Sequence, residues 1–198
     1  MRVNLTIGIP IWLDMLFAWP VMVYRKWKYG YSYRRIYLGE GFWTILDRQD
    51  YYRFGCFKWE VSGENNVFYA VRNIKADPSR TATVRLHRLI MNAPKGVLVD
   101  HRNNDSLDNR KANLRLATHS QNSWNSRRDK SNTLSRYRGV SFSKRKQKWF
   151  AAIRVKGKRV WLGYFDDEIA AAHAYDHAAR KYHKEFASLN FPDAATPS

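Results

Sequence analysis

The chain has 198 residues, a length that suits one domain or two small ones. Lys and Arg number 35 against 17 Asp and Glu, a formal net charge of +18; so large an excess excludes an ordinary enzyme of small metabolites and points to a polyanion, either nucleic acid or an anionic membrane surface. Hydrophobic residues at 44% and aromatics at 15% exclude a disordered basic tail, and a single cysteine, Cys56, excludes a disulfide framework or a cysteine-ligated zinc site and fits a reducing compartment.

In chain order, residues 1–34 form an N-terminal apolar and basic extension. Ile7 to Val23 is almost entirely apolar, and Arg25, Lys26 and Lys28 follow. A membrane helix wants about 20 apolar residues. This run is shorter, holds Asp14 at its middle and contains Pro10 and Pro20. Pro10 suits a first helical turn, whereas Pro20 is expected to kink or end a helix. No small-residue cleavage site follows a basic start, so no signal peptide is expected. The expectation is a short helix packed on its neighbour or offered to a partner, with membrane anchoring as the alternative.

Residues 35–72 read as strands. IYLGEGFWTIL, FGCFKWEV and NVFYAVR are rich in β-formers and broken by turn residues at Gly39–Gly41 and Ser62–Asn66, with Asn65–Asn66 as a hairpin tip. KADPSR (75–80) reads as a polar connection, VRLHRLIM as the start of a helix, Ala93–Gly96 as a turn and VLVD as a short strand. Ser120–Ser135 is polar, helical in its first half and linker-like in its second. That places a domain boundary near residue 130, with a strand-rich and site-bearing unit at 35–129 and a linker at 130–136.

Three strand-like pieces follow at 138–143, 148–155 and 158–164, with Lys156–Gly157 as the turn between the last two. Asp166 or Asp167 can cap a helix that begins at Glu168 and reaches about Tyr182, with Ile169, Ala172, Ala179 and Tyr182 on one stripe. From Lys130 to Phe165 there are eleven basic residues and no acidic one. They interleave with Tyr137, Phe142, Trp149, Phe150, Trp161 and Tyr164. That pattern suits a folded sheet with one face on a core and one on phosphate; a solvated basic linker is the alternative. Phe150, Ile153, Leu162 and Phe165 are assigned to the core, while Trp149 and Trp161 could face either side.

Chemistry-bearing residues crowd between His87 and Asn125. An Asp–His pair at a strand end, Asp100–His101, can divide metal binding and proton abstraction between a carboxylate and an imidazole. A polar turn rich in Asn and Asp is the alternative on composition alone. The blocks LHRLIM, VDHRNNDSLDNRKANLRLAT and SQNSWN, in that order, resemble the HNH endonuclease family of the homing type. The resemblance implies two strands and a helix around one divalent metal. It implies His101 as general base, Asp100 and Asn122 as metal ligands, Asn113 as a brace for the loop that carries the histidine, and His87 in a supporting or phosphate-contacting role. Oxygen donors favour Mg²⁺ or Mn²⁺, and Arg102, Arg110, Arg115, Arg127 and Arg128 are read as neutralising phosphate. Asn104 stands where many members of that family have Gly, in a turn that asks for a left-handed residue. Arg53, Lys58 and Arg72 are candidates for additional backbone contacts.

The segment from Tyr137 to Pro192, with YRGV, WFAAIR, KRVWLGYFD, AAHAYD and the LNF ending, resembles the Apetala-two or ethylene-response-factor domain. That resemblance implies a three-stranded antiparallel sheet on one helix, with the sheet in a DNA major groove. By matching positions it implies DNA contacts from Arg138, Arg154, Arg159 and Trp161, and phosphate contacts from Lys148 and Lys158. Ser141 and Ala152 depart from the plant pattern, and the basic loop 143–147 shifts reliance toward phosphate.

The expected fold class is therefore α+β. A small antiparallel sheet precedes a ββα-metal nuclease unit, a three-stranded antiparallel sheet on one helix follows at 137–192, and a tail closes the chain at 193–198. The expected function is metal-dependent hydrolysis of DNA phosphodiester bonds, targeted by the C-terminal domain. A DNA-binding transcriptional regulator with a silent nuclease unit is the alternative. The expected partner is double-stranded DNA, with no small-molecule cofactor, a monomeric chain and a cytoplasmic, nucleoid-associated location.

Overall fold

A computed structural model describes residues 11–64, 67–77, 79–125 and 134–192. The expected hairpin tip at Asn65–Asn66, Arg127, Arg128, most of the linker and the tail lie outside the described residues. The chain forms two compact units, Met1–Leu116 and Ala117–Ser198, built from mixed α and β elements with antiparallel sheets.

In the first unit, α1 (Ile11–Tyr29) continues past Pro20, which was expected to kink or end it. A proline removes one intrahelical hydrogen bond and crowds the preceding turn; here that local loss does not end the helix. Among the described residues no helix is long and apolar enough to cross a membrane. Strands β1 (Arg34–Gly39) and β2 (Phe42–Leu46) form an antiparallel hairpin, closed by the left-handed Gly39, Glu40 and Gly41.

The next stretch departs from the all-strand expectation, because Arg48–Phe54 is a helix, α2. Tyr51 and Phe54, three residues apart, both pack on the core, which is a helical spacing hidden in a short aromatic run. Strands β3 (Glu60–Glu64), β4 (Val67–Asp77) and β5 (Arg80–Arg85) make an antiparallel sheet with β4 central. KADPSR is thus the end of the β4–β5 hairpin rather than a connection. The Asp77 carboxylate closes it by accepting from the Ser79 amide at 2.9 Å and hydroxyl at 2.8 Å.

Helix α3 (Leu86–Ile90) follows β5 directly, and β6 (Leu98–His101) pairs with β7 (Leu114–Ala117). Ile36, Leu38, Leu46, Trp59, Ala70, Leu86, Ile90 and Leu114 form one buried cluster. This core therefore ties both small sheets and α3 to the strands that bear the candidate site.

In the second unit, α4 (His119–Asn125) opens on a reciprocal cap. The Gln121 amide donates to the Thr118 hydroxyl at 3.3 Å, and the Thr118 amide donates to Gln121 Oε1 at 2.8 Å. Strands β8 (Val140–Ser143), β9 (Lys148–Val155) and β10 (Lys158–Phe165) form an antiparallel sheet with β9 central, packed on α5 (Glu168–His183). Lys156 and Gly157 are both left-handed, as a tight hairpin turn requires. Asp167 caps α5 by accepting from the Ala170 amide at 2.8 Å.

The buried face of α5 is Ala171, Ala172, Tyr175, Ala178 and Ala179. The expected stripe with Ile169 and Tyr182 is displaced, and both of those side chains are exposed. Small residues let the helix approach the sheet closely, and the larger Ile169 and Tyr182 fall outside that contact. Gly139 serves the same approach: at φ +72°, a Cβ there would stand 2.0 Å from the Tyr175 ring. Buried Asp176 accepts from the Asn190 and Phe191 amides, each at 2.8 Å. The Asn190 side chain in turn accepts from the Arg138 amide at 2.6 Å. The LNF ending is thereby tied to the segment that begins the sheet.

Candidate functional site

Asp100 and His101 end β6 and are both buried. The turn that follows is left-handed at Asn104, φ 58°, in keeping with the residue type. Asn113 holds this turn from the 3₁₀ segment Lys111–Asn113. Its Oδ1 accepts from the Asn103 amide at 3.0 Å, and its Nδ2 donates to the Asp108 carbonyl at 2.8 Å. The Asp108 carboxylate binds Asn103 at 2.9 Å and receives Arg110 in a fork at 2.7 and 2.6 Å.

The Leu107–Asn109 segment is strapped to the free edge of β2. The Ile45 amide donates to the Leu107 carbonyl at 3.0 Å, and the Asn109 amide donates to the Ile45 carbonyl at 2.8 Å.

A buried hydrogen-bond chain reaches His101 along this strap. Thr44 Oγ donates to the Leu107 carbonyl at 2.8 Å, Asn109 Nδ2 donates to Thr44 Oγ at 2.7 Å, and Asn109 Oδ1 lies 3.4 Å from His101 Nε2. A carbonyl only accepts, which fixes the polarity of every step. Asn109 Oδ1 is then the acceptor, His101 Nε2 carries the proton, and Nδ1 keeps the lone pair.

Burial lowers the His101 pKa, against smaller raising effects from the Asn109 bond and from Asp100, Asp105 and Asp108. His87 stands edge-on to it, with ring centroids 5.2 Å apart and planes at 84°. Burial, then the like charges of His101, Arg85 and Arg88, pull His87 down to about 3. Both imidazoles are therefore neutral near pH 7.

Asp100 is ion-paired. Arg115 Nε and Nη2 each lie 2.7 Å from Asp100 Oδ2, and both side chains are buried. Arg115 and Arg110, read from sequence as neutralising phosphate, are each paired with a carboxylate of the site, as a buried charge must be compensated. The structure brings together Asp100, His101, His87 and Asn113. Asn122 lies on α4 in the other compact unit. Thr44, Asn109 and Arg115 had no such role assigned from sequence. Thr44 is 65 positions from its partner Asn109, and no local pattern marks that pair.

On the C-terminal sheet, Arg154 pairs with Arg159, Ala152 with Trp161 and Phe150 with Tyr164. These residues share the face turned away from α5. Phe150, assigned to the core from sequence, belongs to this outer face and stacks on Trp161 with centroids 4.9 Å apart. Trp149 packs on the core instead. A bulge between Trp161 and Gly163 returns Tyr164 to the same side as Trp161, at 4.9 Å.

Arg154, Arg159, Trp161 and Tyr164 are exposed. Lys148 is on that face and pairs with exposed Asp166 at 2.9 Å. Lys158 sits opposite Val155, on the other side of the sheet. Arg138 precedes β8 and lines, with Arg154, Ser120, Ser123, Tyr175 and His183, a cavity of about 500 Å³ within the unit.

The HNH endonuclease family matches residues 84–124 and the AP2 domain family matches residues 135–185. The chain is 51% identical over 61 residues to the AP2/ERF and B3 domain-containing protein Os01g0141000 of Oryza sativa subsp. japonica, covering 31% of this chain and 16% of that one. It is 47% identical over 66 residues to the AP2-like ethylene-responsive transcription factor TOE2 of Arabidopsis thaliana, covering 33% and 14%. It is 41% identical over 66 residues to Protein 3.8 of Escherichia phage T7, covering 33% of this chain and 54% of that protein. The matches thus span a minor part of the plant relatives and about half of the phage protein. No solved structure matches the chain significantly.

Proposed function

We propose that this chain, which carries an HNH endonuclease domain at 84–124 and a C-terminal AP2 domain at 135–185, is a metal-dependent DNA endonuclease directed to its target by the AP2 sheet. In this reading β6, β7 and α4 form the ββα-metal unit. Asp100 and Asn122 would hold a divalent cation, Mg²⁺ or Mn²⁺. The donor chemistry fits such an ion, because both side chains offer oxygen only. No group of three His, Cys, Asp or Glu able to hold a metal is present among the described residues. The remaining ligands would then be water and phosphate, as Mg²⁺ prefers. When bound, the ion would supply positive charge to the phosphate oxygens.

The chain's own residues do the rest. His101 offers Nδ1 as the base that takes the proton of an attacking water, and the 3′ oxygen departs as the new phosphate bond forms. The Thr44–Asn109 chain holds the tautomer in which Nδ1 is free of a proton. Asn113 and Asp108 fix the loop next to His101. Arg154, Arg159 and Trp161 supply cationic and aromatic contact for the DNA, with Arg138 and Lys148 beside them. Lys158 would meet phosphate only past the sheet's edge.

The observation that carries this reading is His101, buried at the end of β6 beside Asp100, with its Nε2 3.4 Å from Asn109 Oδ1. Incubating supercoiled plasmid that carries the bound sequence with the protein and Mg²⁺ or Mn²⁺ tests it. Nicking or linearisation is expected, and EDTA and His101→Ala should each abolish it.

The second reading, a DNA-binding regulator with a silent nuclease unit, draws on the Asp100–Arg115 pair, which already compensates the carboxylate a cation would need. DNA binding without cleavage in either metal would select it.

A further inference from the structure

The first unit carries a second basic surface, made by the end of α1, the Gly30 turn and the start of β1. Two guanidiniums converge there on one buried ring. Arg25 lies 4.3 Å from the Tyr33 ring centroid and Arg35 lies 5.5 Å from it. Both are tethered to the same residue, Arg25 Nη1 to the Tyr33 carbonyl at 2.6 Å and Arg35 Nη2 to the Tyr33 hydroxyl at 3.2 Å. Arg34 joins them in lining a shallow cleft of about 330 Å³ floored by Ala18, Val21 and Met22 of α1. Burial and the neighbouring Arg35 and Arg34 charges pull the Arg25 pKa down, while Tyr33 and Tyr29 pull it up.

An anion placed between these like charges would relieve their mutual repulsion. Lys26 and Lys28 extend the positive surface, and the exposed rings of Tyr24, Trp27, Tyr29 and Tyr31 stand among them. The surface also runs to the candidate site. Tyr31 lies under the Arg110 guanidinium at 3.3 Å, and Arg110 is forked onto Asp108, whose carbonyl is held by Asn113.

We propose that this surface binds the sugar-phosphate backbone of DNA beside the cutting site, with a phosphate between Arg25 and Arg35 and the exposed Trp27 ring against an unpaired base. Cations interleaved with exposed aromatic rings are the recurrent means of holding nucleic-acid strands. An anionic membrane is the less suited occupant. The described cations of α1 cluster at its last turns, whereas an interfacial helix spreads them along a polar face.

The test uses the full chain carrying Arg154→Gln and Arg159→Gln, which weaken the C-terminal sheet. Into it go Arg35→Gln alone, and Arg25→Gln with Arg35→Gln. Fluorescence anisotropy measures binding to a labelled duplex and to its single strand from about 50 to 200 mM salt. Each lost contact should lower the duplex salt slope by about 0.9, and the pair should weaken binding about ten-fold at low salt. Should Arg25→Gln disturb folding through its Tyr33 bond, the exposed Arg35 still carries the test alone.

Unchanged slope and affinity on both DNAs would overturn the proposal. So would the absence of measurable DNA binding once the sheet is weakened. A loss confined to phosphatidylserine vesicles, measured in parallel, would also reject it and assign the surface to membranes. Binding is read without cleavage, so an inactive nuclease leaves the outcome distinct.

Discussion

Trp124 and His183 stack face to face, with ring centroids 4.2 Å apart and planes within 6°. His183 is itself fixed, since its Nε2 donates to the Arg154 carbonyl on β9 at 2.9 Å. The helix that bears Asn122 is thereby packed against the domain whose sheet offers Arg154 and Trp161. Burial lowers the His183 pKa, with Arg138 pushing the same way and the Arg154 bond opposing. The ring is thus held neutral, with its faces available for stacking.

Trp124→Ala should release α4 from this anchor. Such a stacked pair contributes about 0.5–1.5 kcal/mol beyond its buried area. If Asn122 acts at the metal, the variant loses nicking rate by about ten-fold or more while its DNA affinity stays within about two-fold, because no sheet residue has changed. Single-turnover cleavage beside anisotropy on one duplex separates the two quantities. Equal losses in both would mean that the stack only holds the fold.

Thr44→Val removes the hydroxyl at the root of the chain that ends on His101. The side chain keeps its shape, but Asn109 Nδ2 loses its acceptor and can rotate its amide. His101 Nε2 then no longer has an oxygen held for it. Disturbing an orienting partner of this kind typically costs 10–100-fold, so cleavage should fall by about that factor with DNA affinity unchanged. Thr44→Ser, which retains the hydroxyl, should recover most of the rate. A valine variant with wild-type cleavage would remove the chain from the mechanism.

The parts of this molecule that were legible beforehand are those written in contiguous residues. Asp100–His101, the RKANLR block and YRGV are short contiguous runs that lie within the two family matches. The Lys156–Gly157 turn and the Asp167 cap follow from local backbone chemistry. What stayed hidden depends on register and distance. Phe150 is apolar and reads as core, yet strict alternation from Ala151 and Ile153 turns it outward, and the bulge at Leu162–Gly163 brings Tyr164 to it. Arg115 reads as one more cation near phosphate until β6 and β7 pair and set it against Asp100. Helix α2 has too few residues for its period to stand out between strands.

Gly139→Ala should be strongly destabilising in the C-terminal unit. The left-handed backbone costs an alanine about 1 kcal/mol or more, and the added methyl meets the Tyr175 ring. Together with repacking, a loss on the order of 2–4 kcal/mol is expected. Hydrogen exchange of the β9 amides should accelerate while that of β4 amides, in the other unit, stays slow. Unchanged β9 protection would mean that Tyr175 can swing aside at little cost.

His87 makes the first unit acid-sensitive. Its pKa is about 3 in the fold and near 6.5 when unfolded. Between those values the unfolded chain binds a proton that the folded chain refuses, so stability is full above about pH 6.5 and falls as pH drops toward 3. At pH 4.5 this one group removes about 2–3 kcal/mol relative to neutral pH. Its surroundings are Tyr69 at 5.4 Å, His101, and the Arg85 and Arg88 charges, none of which offers a negative partner near pH 5. His87→Phe keeps a ring in the space and deletes the titration. The variant should therefore lose less stability than wild type on going from pH 7 to 4.5, as reported by urea titration of hydrogen exchange at the buried Ala70 and Val71 amides. Parallel losses in the two proteins would show that burial does not hold His87 neutral, and that the imidazole beside His101 is charged at mildly acidic pH.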